Sequence, residues 1–397
     1  MRMSEQEKKV LVPALRFPEF RSAGVWELKS LGNCLDYLQP TKYLVKSTAY
    51  SDEYKTPVLT AGKTFILGYT DETQGVFSDG LPVIIFDDFT TATQFVDFPF
   101  KAKSSAMKIL LAKKGFNIKF VYEAMRTMEY EVGVHKRHWI SIFTKLNIPT
   151  PKPKEQQKIA DCLSSLDELI TLQTQKRDAL KAHKKGLMQQ LFPAIGETQP
   201  KLRFPEFRGE WVEKTLGEVT DYENGKAHEQ DIDKKGNYIV VNSKFISTEG
   251  EVRKFSNTAN LLASKNDILM VLSDVPNGRA IAKCFYVDKD NTYTVNQRIC
   301  KLTSKDAVSV ILFYLFNRNP YFLAFDDGVK QTNLKKDDVL ECPVLLPKDK
   351  KEQQKIADCL SSLDALITTQ SQKIDALKSH KKGLMQQLFP AMDEVDA

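Results

Sequence analysis

Over two stretches of the chain, apolar and seam positions recur at steps that alternate four and three. The first series runs Ile159, Leu163, Leu166, Ile170, Gln173, Arg177, Leu180, Lys184, Leu187, Leu191. The second runs Ile356, Leu360, Leu363, Ile367, Gln370, Ile374, Leu377, Lys381, Leu384, Leu388. Alternating four and three is the a/d spacing of a coiled coil, so each series predicts one long helix. Proline brackets both, at Pro151, Pro153 and Pro193 and again at Pro347 and Pro390, where it stops a helix that it cannot continue. The two stretches are copies. Glu155–Ala194 returns 197 positions later as Glu352–Ala391, differing only at Glu168/Ala365, Leu172/Thr369, Thr174/Ser371, Arg177/Ile374 and Ala182/Ser379. That period is far too long for a solenoid, so the chain reads as two halves. The helices could lie on two separate cores, but a seam this regular, carried twice, favours packing on each other. Gln173 and Gln370 would then form a polar layer that sets register. A two-fold relating the halves would make the helices antiparallel.

A second repeat precedes each half: Leu15-Arg-Phe-Pro-Glu-Phe-Arg21 and Leu202-Arg-Phe-Pro-Glu-Phe-Arg208, each followed by a tryptophan (Trp26, Trp211) and a Leu-Gly pair (Leu31-Gly32, Leu216-Gly217). These aromatic residues either pin an entering strand to a core or offer both halves one docking surface. The stretches between, roughly 22–150 and 209–347, differ in sequence yet share an element order. In the first, strands are expected at Pro57–Thr60, Phe65–Tyr69, Leu81–Phe86, Gln94–Phe98 and Met107–Leu111, from apolar and β-branched runs bounded by turn residues. A helix over Asn117–Met128, a basic loop Gly133–His138 and a strand near Ile142–Ile148 follow. In the second, strands are expected at Tyr238–Val241, Asp267–Leu272, Arg279–Val287 and Arg298–Leu302. A helix over Val308–Asn317, a loop Gly328–Lys335 and a strand into Val344–Pro347 complete it. The expected fold is α+β: two globular domains (1–150 and 194–347) separated by two long antiparallel helices (151–193 and, with the tail, 348–397), with internal pseudo-two-fold symmetry.

Composition changes this picture little. The 397 residues are 42% apolar and 27% charged, ordinary for a globular protein with two or three cores. The net charge of +6 suits a nucleic-acid partner without requiring one. No apolar run approaches the ~20 residues of a membrane span, and Met1–Lys9 leads into no signal-peptide core. Six scattered cysteines without a C-x-x-C pair point to a reduced, cytoplasmic protein.

No catalytic constellation holds together. Asn319-Pro320-Tyr321 lacks one proline of the Asn-Pro-Pro-Tyr motif of amino-methyltransferases and follows no glycine-rich loop, so it reads as a helix stop. Gly62-Lys63-Thr64 has Pro57 where a phosphate loop needs glycine. His135 and His138 lack companions at metal-ligand spacing, and Asp87-Asp88 and Asp326-Asp327 read as solvated loop pairs. Binding chemistry is better represented. Lys101, Lys103, Ser104, Ser105 and Lys108 cluster in the first half, followed by Lys136, Arg137 and His138 beside Trp139. Asn277 and Arg279, then Asn296, Gln297 and Arg298, then Lys330, Gln331, Thr332 and Asn333 occupy comparable places in the second. Arg, Asn and Gln can pair with base edges while Lys holds phosphate.

The twin Glu-Gln-Gln-Lys-Ile-Ala-Asp-Cys-Leu-Ser-Ser-Leu-Asp helices (Glu155–Asp167, Glu352–Asp364), the twin Leu-Arg-Phe-Pro-Glu-Phe segments and the dissimilar domains between them carry a resemblance. The chain is similar, over nearly its full length, to specificity subunits of Type I restriction–modification systems. The resemblance implies two target recognition domains, each reading half of an asymmetric bipartite sequence in double-stranded DNA. It implies helices that set the gap and seat two methyltransferase subunits, which bind S-adenosylmethionine. Restriction subunits, motor-nucleases using ATP and Mg, would complete the complex. It implies no active site, cofactor or metal in this chain, and no membrane. Two other classes stand beside it: an enzyme with its own nuclease or methylase centre, which would cleave or methylate DNA alone, and a coiled-coil adaptor, which would show no salt-dependent DNA affinity.

Overall fold

The computed structural model of the chain describes residues 11–60, 64–128, 138–194, 196–228 and 230–390. Both expected long helices form, Pro153–Leu191 and Lys350–Leu388, each of 39 residues. The chain packs as two compact units whose boundaries cut through these helices: residues 1–175 with 370–397, and residues 176–369. Each unit therefore holds the beginning of one long helix and the end of the other.

In the first unit a four-stranded antiparallel sheet runs in the order Leu35–Leu38, Met107–Ala112, Val83–Asp87, Thr93–Val96. A three-stranded sheet joins Ile66–Thr70, Thr56–Leu59 and Lys101–Ala102, the last two parallel. A ribbon of Glu27–Ser30 with Asn147–Thr150 leads into the long helix. The second unit repeats this plan. Its main sheet runs Thr220–Asn224, Ile299–Ser304, Ile268–Val271, Cys284–Tyr286, and its entry ribbon pairs Trp211–Thr215 with Pro343–Pro347. Its second sheet again contains a parallel pair, Tyr238–Val241 with Tyr293–Val295. The two dissimilar sequences thus build the same main sheet and entry ribbon, and in both the central strand, Val83–Asp87 or Ile268–Val271, is buried at every position.

Two expected strands need correction. In the stretch near Ile142–Ile148, Phe143–Lys145 is a helical turn that follows another at His138–Ser141, and strand begins only at Asn147, over Asn147–Thr150. Phe143 is drawn inward against Phe86, with ring centroids 4.8 Å apart, and that packing overrides a β-branched run. Of Arg279–Val287 only Cys284–Tyr286 is strand. The Asp274 carboxylate accepts the amides of Ala280 and Ile281 at 2.6 and 3.0 Å, which takes them out of any ladder. The entry strands Glu27–Ser30 and Trp211–Thr215 carry too many exposed polar residues to stand out in the sequence.

The repeated segments hold each unit together. In the first, Arg16 grips Glu155 through two hydrogen bonds of 2.7 Å at the start of one helix. The adjacent Leu15 amide donates to the Gln387 carbonyl (2.9 Å) near the end of the other. In the second unit Arg203 grips Glu352 in the same way, and the Leu202 amide reaches the Gln190 carbonyl (2.9 Å). The glutamine after each glutamate is also spent internally. Gln156 accepts the Asn117 amide and donates to the Pro151 carbonyl; Gln353 accepts the Val308 amide and donates to the Pro347 carbonyl. Glu155, Gln156, Glu352 and Gln353 are all buried. Of the aromatic residues in the repeated segments, Trp26 and Trp211 are buried in the core, while Phe17, Phe20, Phe204 and Phe207 are half-buried.

The helix segments within each unit run antiparallel. In the first, Gln370 donates to Gln173, and Lys381 pairs with Asp167 at 2.7 Å and with Glu123 at 2.8 Å. In the second, Lys184 pairs with Asp364 at 2.6 Å, and Asp364 also accepts the Tyr314 hydroxyl at 2.7 Å. Lys184/Lys381 and Asp167/Asp364 are the same repeat positions, so one ion pair is built twice. Every apolar seam position is inside: Ile159, Leu163, Ile356 and Leu360 are buried, and Leu166, Ile170, Leu180, Leu187, Leu363, Ile367, Leu377 and Leu384 are half-buried. The polar positions in the seam fix which residues face each other, as a polar layer does in a coiled coil.

Candidate nucleic-acid interface

At one end of the main sheet in each unit the same pair of backbone bonds joins segments far apart in the chain. In the first unit the Asp88 amide donates to the Ala106 carbonyl (3.2 Å), and the His138 amide donates to the Asp88 carbonyl (3.0 Å). In the second the Leu272 amide donates to the Arg298 carbonyl (2.9 Å), and the Leu334 amide donates to the Leu272 carbonyl (2.8 Å). In the second unit the clusters singled out by residue type, far apart in the chain, therefore share one surface.

Within the second unit most of them are available. Asn277, Arg279, Gln297, Arg298, Lys330, Gln331 and Asn333 are exposed, and Asn296 is half-buried. A short ribbon pairing Ser273–Asp274 with Thr332–Asn333 fixes two of the loops against each other. Gln331 Nε2 donates to Ser273 Oγ at 2.8 Å and to Asn333 Oδ1 at 3.1 Å, and Asn277 Nδ2 donates to the Gly328 carbonyl at 3.1 Å. Thr332 is the exception. Period-two alternation turns it inward while Asn333 faces out, leaving Thr332 6% exposed. Carboxylates brace the tips: Asp327 Oδ1 accepts the amides of Val329 and Lys330 at 2.9 and 3.0 Å. Those two amides hold the Asp327 carboxyl below the usual carboxylate range, so it stays ionised and the turn stays closed.

The first unit departs further from expectation. Lys103, Ser104 and Ser105 are exposed on the turn between Lys101–Ala102 and Met107–Ala112, with Lys103 Nζ 5.8 Å from the Tyr50 ring centre. Lys101 and Lys108 are not surface residues; both are 1% exposed. Lys101 pairs with Glu72 at 2.7 Å and donates to the Gln74 carbonyl at 2.6 Å. Lys108 lies 3.2 Å from Asp88 and donates to Gln39. A buried ammonium needs such partners, which lie too far off in sequence to be anticipated. His138 is also buried, at the place that Leu334 holds in the other unit, and serves as the post on which the loop before it ends. Lys136, Arg137 and most of the Gly133–His138 loop lie outside the described residues, as do His135, Gly62 and Lys63.

The residue types that sequence reasoning passed over are apolar. Phe89, Val275 and Val329 stand exposed on these loop ends. The signal was present as an apolar residue one or two places after an aspartate that closes a turn, Asp87-Asp88-Phe89, Asp274-Val275 and Asp327-Gly328-Val329. Among the described residues no His/Cys/Asp/Glu group could hold a metal ion. All six cysteines are free thiols. Burial pushes the thiols of Cys34, Cys300 and Cys342 up to about 12, against nucleophilic use. No described helix is long and apolar enough to cross a membrane.

Known proteins resemble the chain in sequence and in fold. The chain is 43% identical over 204 residues to the EcoR124I/EcoR124II specificity subunit of Escherichia coli, a Type I restriction enzyme component, covering 49% of this chain and 48% of the relative. It is 26% identical over 268 residues to the MjaVIII specificity subunit of Methanocaldococcus jannaschii, covering 62% of each. The chain thus spans about half to two thirds of the length of these relatives. In fold it is similar to the S subunit of a Type I system from M. genitalium, with a TM-score of 0.65 at 17% identity, over 96% of this chain and 100% of that one. A chain from a structure of Type I system assembly and conformational transition aligns with a TM-score of 0.51 at 16% identity, over 94% and 98%. The family model of the Type I restriction modification DNA specificity domain matches twice, at residues 24–182 and 208–379, so the chain belongs to that family.

Proposed function

We propose that this chain is the non-catalytic, sequence-reading subunit of a Type I restriction–modification complex and acts in the cytoplasm. Each globular domain, 1–150 and 194–347, reads one half of a bipartite target in double-stranded DNA through the loops at its sheet end. The observation that carries this is one loop junction, with the same backbone bonds, built twice from different side chains. A common scaffold with divergent tips is what two unlike specificities require, and unlike half-sites make the target asymmetric. The family membership supports the assignment.

The reading gives Lys103, Lys136, Arg137 and Lys330 to phosphate and Arg279, Asn296, Gln297, Arg298, Gln331 and Asn333 to base edges. It places two methyltransferase subunits along the long helices, with S-adenosylmethionine bound in them. ATP and Mg belong to the restriction subunits. This chain would hold no cofactor of its own.

Single-base mapping of methylated adenines in cells carrying this chain and its methyltransferase tests the proposal. Two half-sites separated by undefined bases are expected, and exchanging residues 22–150 for another recognition domain should change one of them only. Methylation that follows no bipartite sequence, or a change in both half-sites, would overturn it.

A further inference from the structure

The second unit exposes two valines beside its polar readers. Val275 is 63% and Val329 is 76% exposed. Both tips are held rigidly. Asp274 accepts the Val275 amide at 2.9 Å and the Ala280 and Ile281 amides with its other oxygen. Asp326 accepts the Gly328 amide at 3.0 Å, and Asp327 accepts those of Val329 and Lys330. The two loops are tied together by Asn277 Nδ2 on the Gly328 carbonyl. A Cβ at Gly278 would lie 2.1 Å from an Asp274 oxygen, so only glycine allows this closure. The first unit repeats the device. Asp87 Oδ1 accepts the amides of Phe89 and Thr90 at 2.7 and 3.0 Å, and Phe89 is 44% exposed.

We propose that Val275 and Val329 are specificity-determining residues that read thymine through its C5-methyl group in the major groove. This rests on the DNA-reading function proposed above. Exposed valines stabilise nothing in the free protein, yet the structure fixes them on braced loops among exposed Asn277, Arg279, Lys330 and Gln331. In the major groove the thymine methyl is the one apolar feature that separates an A·T pair from the others. A β-branched side chain on a closed turn is stiff at χ1, so it meets that methyl with little entropy to lose. The polar neighbours supply what valine cannot, hydrogen bonds to adjacent bases and contacts to phosphate.

The test uses the full chain with its methyltransferase. The preferred sequence is first selected from a randomised DNA pool. Each thymine in it is then replaced singly by uracil, which removes only the methyl group, and binding is titrated. The wild-type complex is expected to lose about four-fold at one or two thymines of a single half-site, the value of one buried methyl. V275A and V329A should bind the thymine target more weakly and lose their response at one such thymine each. Far-UV circular dichroism and thermal unfolding should match wild type, since both side chains are exposed. If the wild type selects a sequence but no uracil matters, or both variants keep the full response, the inference falls and the DNA-reading function stands. Loss of methyltransferase binding with DNA discrimination intact would also overturn it, by making the valines a protein contact. A wild-type complex that selects no sequence would overturn both.

Discussion

Gln370 donates its side-chain amide to the Gln173 side-chain oxygen at 2.7 Å and to the Gln173 backbone carbonyl at 3.0 Å, so one repeat position meets its own copy. In an antiparallel pair only one layer can do this, and here it falls on the polar residue of the seam. The layer fixes register, because sliding either helix would bury an unpaired amide among leucines and isoleucines.

Replacing both glutamines by leucine should raise the thermal midpoint, adding about 1–2 kcal/mol of apolar burial while loosening register. Q173L alone should destabilise by about 1–3 kcal/mol, since it leaves Gln370, 7% exposed, without its acceptor side chain. Calorimetry of the two variants and the wild type checks the order. A double variant less stable than Q173L would contradict it.

The two arginine clamps are alike but not equal. Glu155 and Glu352 are each 1% exposed, so removing the arginine strands a buried carboxylate at about 3–5 kcal/mol. Trp26 Nε1 still donates to Glu155 at 3.3 Å, whereas Trp211 Nε1 has no partner among the described residues. R203A should therefore destabilise more than R16A, and adding E352Q to R203A should recover part of the loss. Denaturant unfolding of the variants measures both differences.

Glu72 gives the first unit an acid sensitivity. The hydrogen bond from Lys101, then the Ser47 and Lys46 amides, pull its carboxyl down to about 2 against the opposing effect of partial burial. A carboxyl lowered on folding stabilises above its unfolded value, about 4.3, and that contribution fades as pH falls toward 2. E72Q should lower the thermal midpoint at pH 7, and the gap to wild type should close between about pH 4.5 and 2. A gap constant across that range would count against this pairing.

The interface residues should separate by kind. Lys330→Ala is expected to weaken DNA binding on all sequences and reduce the salt slope by about one. Gln297→Ala should instead relax discrimination at one base pair by roughly 1–3 kcal/mol. Titrations at several salt concentrations on matched and mismatched sites tell the two apart. An unchanged salt slope for Lys330→Ala would remove that loop tip from the phosphate backbone.

Helix length makes a further expectation. A 39-residue helix spans about 58 Å, and one extra heptad in each adds about 10 Å with the seam still in phase. If the helices set the gap, methylation mapping should find the same half-sites about three base pairs farther apart, with weaker activity because one half-site is also rotated. An active heptad variant that kept the original gap would show that the helices only seat methyltransferase.

The seam and the strapping segments were legible because they repeat and because their periodicity is local. Even so, the partner of Glu155 is Arg16, and nothing in the spacing names it. The candidate interface was legible only in part. Asn277, Arg279, Gln297, Arg298, Lys330, Gln331 and Asn333 are exposed at one sheet end, but Lys101, Lys108 and His138 point inward. Whether a lysine is surface or core is decided by Glu72 and Asp88, which only the folded chain brings near. The apolar tips were passed over because an isolated hydrophobic residue in a loop carries no periodic signal.

The exchange of helix ends between the units bears on how the protein is made. The core of the first unit includes Met385, Leu388 and Phe389, and Phe389 packs against Phe120 with ring centroids 5.3 Å apart. Lys176–Thr369, the whole of the second unit, leaves the ribosome before them. At about 5–20 residues per second that interval lasts about 10–40 s. The unit begun first is thus completed second, and Trp26, Phe120 and Leu163 wait through that time without their cover. A message that breaks off within the second half would leave the first unit with an open apolar core.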